Sequence, residues 1–310
     1  MLKEALYTGK ILLFGEYGII QDSMGLSIPY DPYSGSLKFE SDQKEISDQS
    51  NSELIKFLGF LKLEKNALVK RFDLARFEKD LNAGMYFDSS IPQGFGVGSS
   101  GAIVAAVYDH YALNPIPADG NLKSSQLKKL KNTLGEMESY FHGKSSGLDP
   151  LICYLKLPIL IKSKNSMGTV GLPSQGDGKG AIFLLNTGMT GKTQPLVNHF
   201  MERCKEEGFR NMLKKEFKKY NDAAIEAYLN KDLSPLLDNV KELSKVLLAH
   251  FKPMIPSVFH KLWKEGIDSN AYYLKLCGSG GGGFILGFTA DYDNASELLK
   301  EYELNRIHTF

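Results

Sequence analysis

Residues 91–108 read IPQGFGVGSSGAIVAAVY, with four glycines and two serines in eight positions and then a run of small apolar residues. Glycines let several backbone N–H groups turn toward one point, and such a nest followed by a helix N-terminus binds phosphate. The segment AIVAAVYDHYA is apolar on almost every face at its start, which predicts a buried helix rather than a surface one. Both requirements of a phosphate loop are therefore met in one stretch. The alternative is a tight turn needed only for close packing.

Two other glycine-rich segments, and one reading of this one, are decoys. Gly96, Gly98 and Gly101 satisfy G-x-G-x-x-G, but that fingerprint belongs after the first strand of a βαβ unit, with an acid about twenty residues on. Here it lies a third of the way along the chain behind Pro92, and position 121 is Asn. Gly278, Gly280 and Gly283 repeat the pattern in GSGGGGFILGF, which continues as a strand. NTGMTGKT at 186–193 follows the strand AIFLL as a P-loop would, yet Asn186 stands where that loop needs glycine.

At 310 residues the chain predicts two domains. A formal charge of +1 gives no footprint for nucleic acid or an anionic membrane, which leaves a small molecule or a protein as partner. Cys153, Cys204 and Cys277 are too far apart for a zinc site or a disulfide framework, and fit a reducing cytoplasm. Lys3, Glu4 and the short apolar run Ile11 to Phe14 do not make a signal segment. The uncharged stretch Ser89 to Tyr108 is interrupted by glycines, serines and a proline, so no membrane segment is read.

Strands and helices alternate along the chain, which predicts a mixed α/β arrangement. ALYTGKILLFGEYGII reads as strand, turn, strand; SLKFE and MYFDSSI as strands; Glu53 to Leu63 and Phe72 to Leu81 as helices. From Ser124, Leu127, Leu130, Leu134, Met137 and Phe141 recur at intervals of three and four, predicting a helix stopped at Gly143. LICYL and PILIK read as strands, and the polar segment 162–180 as a domain boundary or lid. The second half opens on AIFLLN, passes through charged amphipathic helices between Gln194 and Lys264, and ends in YYLKLCGSGGGGFILGF and a helix-strand tail.

Several polar side chains stand where chemistry could use them. Lys10 starts an apolar run; it either snorkels to solvent or faces anionic oxygens. Glu138 lies four residues after Leu134, beside the core stripe, whereas Glu136 points away. A carboxylate there needs a cation or a donor, unless it is a solvated rim residue. Asp149 sits in a Gly-Ser turn before Pro150, as a turn former or near a ligand. His142 ends the long helix, where the dipole alone accounts for a cation. No G-x-S-x-G elbow supports a hydrolase.

Together these stretches resemble the GHMP kinases, the superfamily of galactokinase, homoserine kinase, mevalonate kinase and phosphomevalonate kinase. TGKILLFGEYGII is similar to the PGK, apolar run, GEH motif, with Thr8 for Pro and Tyr17 for His. IPQGFGVGSSGA resembles P-x-G-x-G-L-G-S-S-A, with Val97 for Leu and Gly101 for Ala. KLCGSGGGGF resembles the third motif, with Cys277 for Thr and Phe284 for a smaller residue. HGKSSGLDP is similar to the mevalonate kinase pattern H-G-x-P-S-G-x-D, with Ser145 for Pro, and NTGMTGKTQPLV matches that group around Thr193.

The resemblance implies an α+β fold of two domains. An N-terminal ATP-binding domain at 1–175 would be similar to ribosomal protein S5 domain 2, and a ferredoxin-like domain would occupy 176–310, with the active site between them. It implies an ATP-dependent, Mg²⁺-requiring cytoplasmic kinase of a small alcohol, most like mevalonate kinase. Gln93, Gly94, Phe95, Gly96, Val97, Gly98, Ser99 and Ser100 would cradle the ATP phosphates. Ser100 and Glu138 would hold Mg²⁺, and Asp149 would orient the alcohol and take its proton with Lys10 beside it. Glu16, His142, Ser146, Thr193 and Gly280 join Lys10 and Asp149 on the substrate side. The alternatives are phosphomevalonate kinase, a sugar kinase, diphosphomevalonate decarboxylase, or a nucleotide-binding sensor of the same fold without turnover. A homodimer is left open.

Overall fold

The computed structural model describes residues 5–39, 41–63, 67–118, 122–163 and 166–310. Lys3, Glu4 and Asn121, noted above, lie outside these ranges. The chain gathers into two units. One takes in the chain up to Lys10, Ile28–Pro92 and Val97–Leu157; the other takes in Ile11–Ser27, Gln93–Gly96 and Pro158–Phe310.

In the first unit, β1 (Tyr7–Phe14) and β2 (Gly25–Lys38), both shared with the second unit, are joined by β3 (Tyr86–Ser89). β3 pairs antiparallel with β2, Gly35 opposite Ser89 and Lys38 opposite Tyr86. The helices are α1 (Lys44–Leu61), α2 (Leu74–Asn82), α3 (Ser99–Tyr111), α4 (Ser124–His142) and α5 (Leu148–Leu155). α3 is the central one: Ala102, Val104, Ala105, Ala106 and Val107 are all wholly buried, as its all-round apolar start requires. α4 follows its three-and-four spacing, burying Leu127, Leu130, Leu134 and Met137. α2 starts where the Asp73 side chain accepts from the Arg76 backbone N–H at 3.0 Å.

Three local expectations change. α1 begins at Lys44, not near Glu53, because its buried stripe of Leu54, Phe57, Leu58 and Leu61 occupies only the second half. LICYL is part of α5 and not a strand; a short run buried on all sides carries no period to tell the two apart. After β1 the chain makes a 3-10 turn at Gly18–Gln21 rather than a second strand, and SLK is the end of the 14-residue β2.

In the second unit the start of β2 pairs with β4 (Ile159–Ser163), which pairs with β5 (Ser166–Thr169). Next come β6 (Ala181–Asn186), α6 (Thr193–Arg203), α7 (Glu207–Met212), a π-helical turn at Leu213–Phe217, α8 (Lys218–Leu229), α9 (Leu233–His250) and α10 (His260–Ser269). The hairpin β7 (Tyr273–Leu276) and β8 (Phe284–Thr289), then α11 (Tyr292–Leu298) and β9 (Leu304–Thr309), complete it. The strands run in the order β7-β8-β6-β9 and pair antiparallel, the ferredoxin-like order with first and third strands central. Residues 181–185 of β6 are buried throughout, as befits a central strand. The architecture is α+β.

The polar segment 162–180 holds structure where a lid or boundary was expected. Residues 162 and 163 end β4, residues 164 and 165 lie outside the described residues, 166–169 form β5, the Val170 N–H donates to Pro158 O at 3.1 Å, and the Gly176 N–H donates to Thr309 O of β9 at 2.8 Å. Among the described residues no helix is long and apolar enough to cross a membrane.

Candidate functional site

The first unit brings Lys10, Gly98, Ser100, Glu138, His142 and Asp149 together. The Lys10 backbone N–H donates to Val97 O at 2.9 Å, which fastens β1 to the glycine loop. Its side chain then crosses Gly98, where a Cβ would lie 2.8 Å from Lys10 Cγ and the backbone φ is 88°. Only glycine meets both conditions. The ammonium ends 2.8 Å from Asp149 Oδ2, with the lysine side chain 4% exposed and the aspartate 36% exposed. The cation is locked in and the carboxylate keeps an open side.

Asp149 stands in the first turn of α5, against α3. A Cβ on Gly101 would come within 2.9 Å of the Asp149 carbonyl carbon and 3.2 Å of its Cβ. This close approach accounts for Gly101 in a motif position where alanine is usual.

Ser100 Oγ donates to Glu138 Oε1 at 3.2 Å and lies 3.0 Å from His142 Nε2. Since the hydroxyl has one proton, that geometry asks His142 to donate from Nε2. The Ser145 hydroxyl donates to the other oxygen of Glu138. Burial first, and then the charge of Asp149, push the Glu138 carboxyl up to about 7, against the pull of Ser145, Lys10 and Ser100. Burial pushes the His142 imidazole down. A buried carboxylate with a raised proton affinity is short of positive charge, and hydroxyl and carboxylate oxygens suit a hard cation. Among the described residues no cluster of three or more His, Cys, Asp and Glu could hold a metal by itself. A hydroxyl and a carboxylate oxygen are the hard ligands that Mg²⁺ would accept here.

Ser146 is exposed, and its hydroxyl accepts from the Leu148 N–H at 3.3 Å across the turn that leads into α5, whose N-cap is Gly147. With Ser145, Asn132, Ser139 and Lys144 it lines a cavity of about 370 Å³ on the outer side of the α4–α5 turn.

The second unit gathers the glycine-rich loops. The Gly191 N–H donates to Gly94 O at 2.9 Å, and the Gly283 N–H to Met189 O at 2.6 Å. The Phe95 ring meets Phe284 edge-on, with centroids 5.3 Å apart. NTGMTGKT is thus a packing partner of both other loops rather than a free phosphate wrap. Thr193 opens α6, and its Oγ1 accepts from Ser279 Oγ at 3.1 Å, one residue before Gly280.

Glu16 is placed otherwise than on a substrate face. Its side chain is fully buried, and the Lys275 ammonium lies 2.7 Å from Glu16 Oε2, also donating to Leu276 O at 2.9 Å. Burial raises the Glu16 carboxyl against the charge of Lys275. The sequence reading gives Lys275 no mention and Ser145 no role. The signals were there: a single lysine within the apolar strand YLKL, and a hydroxyl replacing the motif proline seven residues after Glu138.

Comparison with known proteins follows this geometry. Residues 63–156 match the family described as GHMP kinases N terminal domain. No curated protein sequence matches the chain significantly. Among solved structures it is similar to L. major mevalonate kinase in complex with R-mevalonate, at 16% identity and a TM-score of 0.63, over 99% of this chain and 95% of that one. It is similar to Streptococcus pneumoniae phosphomevalonate kinase in complex with phosphomevalonate and AMPPNP, at 14% identity and a TM-score of 0.61, over 98% and 99% of the two chains. It is also similar to Lactococcus lactis galactokinase complexed with galactose, at 12% identity and a TM-score of 0.62, over 98% and 92%. At such identities the likeness carries the fold. Residues 63–156 match the GHMP kinase N-terminal domain family, and the chain as a whole has the fold shared by these three structures.

Proposed function

We propose that the protein transfers the γ-phosphoryl group of ATP to the hydroxyl of a small alcohol in the cytoplasm, with mevalonate as the acceptor and 5-phosphomevalonate and ADP as products. The observation that carries this reading is the pair of Lys10 and Asp149, a buried ammonium 2.8 Å from a carboxylate that remains partly open. A nucleotide sensor needs no such carboxylate beside its phosphate loop. A kinase does, to align an alcohol and accept its proton.

In this reading residues 1–175 are the ATP-binding domain and 176–310 its companion. The backbone N–H groups of Gln93 to Ser99 receive the phosphates, ahead of α3. Ser100 and Glu138 hold Mg²⁺, which supplies charge neutralisation to the phosphates when bound. Asp149 accepts the acceptor's proton as the alcohol oxygen bonds to the γ-phosphorus and the bond to the ADP oxygen breaks. Carboxylates are weak bases toward alcohols, so orientation is the larger part of that role. Lys10 faces the oxygen on which negative charge develops. Ser146, His142, Thr193 and Gly280 complete the acceptor side.

Mevalonate is favoured over other alcohols by HGKSSGLDP and by Thr193 in its motif. The fold does not discriminate, since the mevalonate kinase, phosphomevalonate kinase and galactokinase structures have TM-scores of 0.63, 0.61 and 0.62. The test is ADP release with Mg²⁺-ATP across mevalonate, phosphomevalonate, galactose and homoserine. Release stimulated by mevalonate above the others is expected. Stimulation by another acceptor alone would move the assignment within the superfamily, and ATP binding without release for any of them would favour the sensor.

A further inference from the structure

Tyr17 is the one motif residue whose conformation is itself unusual. It carries a side chain at φ 57° and ψ −39°, a backbone region that residues other than glycine rarely enter. Such an outlier persists only where its surroundings hold it, and these do. Its ring lies against Phe200 with centroids 4.7 Å apart and Phe251 at 5.8 Å, and the residue is 7% exposed. The following turn is closed in as well, because a Cβ on Gly18 would come within 2.4 Å of the Phe217 ring. Phe217 belongs to the π-helical turn, a distortion that re-aims side chains.

What this confinement achieves is a single directed hydrogen bond. Tyr17 Oη donates to the carbonyl of Ser279 at 2.7 Å. The glycine-rich loop between β7 and β8 is tied further on by the Gly281 N–H to Met254 O at 2.6 Å and the Gly283 N–H to Met189 O at 2.6 Å. Its entrance is tied by Tyr17 and, one strand earlier, by the buried pair of Glu16 with Lys275. Adjacent residues of one turn, Glu16 and Tyr17, thus reach the two ends of the same short segment. The Ser279 end also carries the hydroxyl that meets Thr193.

We propose that Tyr17 is a positioning residue: its hydroxyl fixes the Ser279 backbone and, through it, the Ser279–Thr193 hydroxyl pair that the acceptor alcohol meets. A histidine at this motif position could carry a positive charge. Tyr17 carries none: a phenol is neutral or anionic, burial raises its proton affinity and keeps it neutral, and its proton is donated to the Ser279 carbonyl. The acceptor is therefore read on this side by neutral hydroxyls set in place by a tyrosine. The acceptor part of the proposal rests on the kinase reading above, whereas the tether does not.

The experiment is Tyr17→Phe, which keeps the ring and removes only the donor. Hydrogen exchange of the amides at 278–281 is expected to quicken roughly 2- to 10-fold, the span of one neutral hydrogen bond, with β6 amides unchanged as the internal reference. Unchanged exchange in the loop, or an equal rise in β6, would overturn the tether. With whichever acceptor the wild type turns over, the variant is expected to raise the acceptor KM by a similar factor while the ATP KM and kcat stay near wild type. A loosened loop with an unchanged acceptor KM would overturn the acceptor role. A wild type that turns over no acceptor would sink the kinase reading, and the exchange result would still decide the tether.

Discussion

Glu138 couples the chemistry of the site to pH. Its folded value of about 7 stands above the ordinary 4.5, so between those limits the folded chain holds a proton that the unfolded chain has released. The stabilisation from that proton is fully present below the unfolded value and is lost as pH rises through the folded one. Glu138→Gln removes the titration but keeps the shape. In metal-free buffer the melting temperature of the variant is expected to gain on the wild type as pH is raised from about 5 to about 8. Parallel pH profiles would contradict the burial assigned to this carboxylate. At this scale the sequence reveals the chemistry of a residue better than its partners. Glu138 could be placed beside a core stripe by counting turns, but the Ser145 hydroxyl on its second oxygen comes from across a turn that has no period. Lys275 is the sharper case: a lysine inside YLKL announces that it needs a counter-charge, and nothing local says that Glu16 supplies it.

Between elements, the contact of α3 with α5 is what sets Asp149 relative to the glycine loop. Gly101 is the point of closest approach, where a Cβ would press on backbone atoms at 2.9 Å that cannot swing aside. Gly101→Ala restores the residue usual in the motif, and on that analogy alone would be harmless. The packing says otherwise: a loss of about 1–3 kcal/mol in urea unfolding is expected, together with reduced turnover as Asp149 shifts. A variant as stable and active as the wild type would show that the two helices can separate freely. The elements themselves were legible where one face is buried and the other is not, as in α4. They were not where burial is complete, as in LICYL of α5, or where a helix carries its polar first half into solvent, as in α1. The turn after β1 reads as a strand because Ile19 and Ile20 favour strands, whereas the chain turns at Gly18, which packs against the Phe217 ring from far along the chain.

For the molecule as a whole, the order of motifs carried more than any motif did. Lys10, the 93–101 loop, Glu138, Asp149 and the 278–283 loop each had an ordinary reading taken singly. Strand order was beyond local patterning, because β6 finds its partners β8 and β9 only after the run of helices from α6 to α10. The central claim is that the Lys10–Asp149 pair performs phosphoryl transfer chemistry. Its most direct test is Asp149→Asn, compared with the wild type for kcat on the best acceptor and for ATP binding. A fall in kcat of roughly 10²-fold to 10⁴-fold with ATP affinity largely kept is expected. Near-normal turnover would contradict the claim.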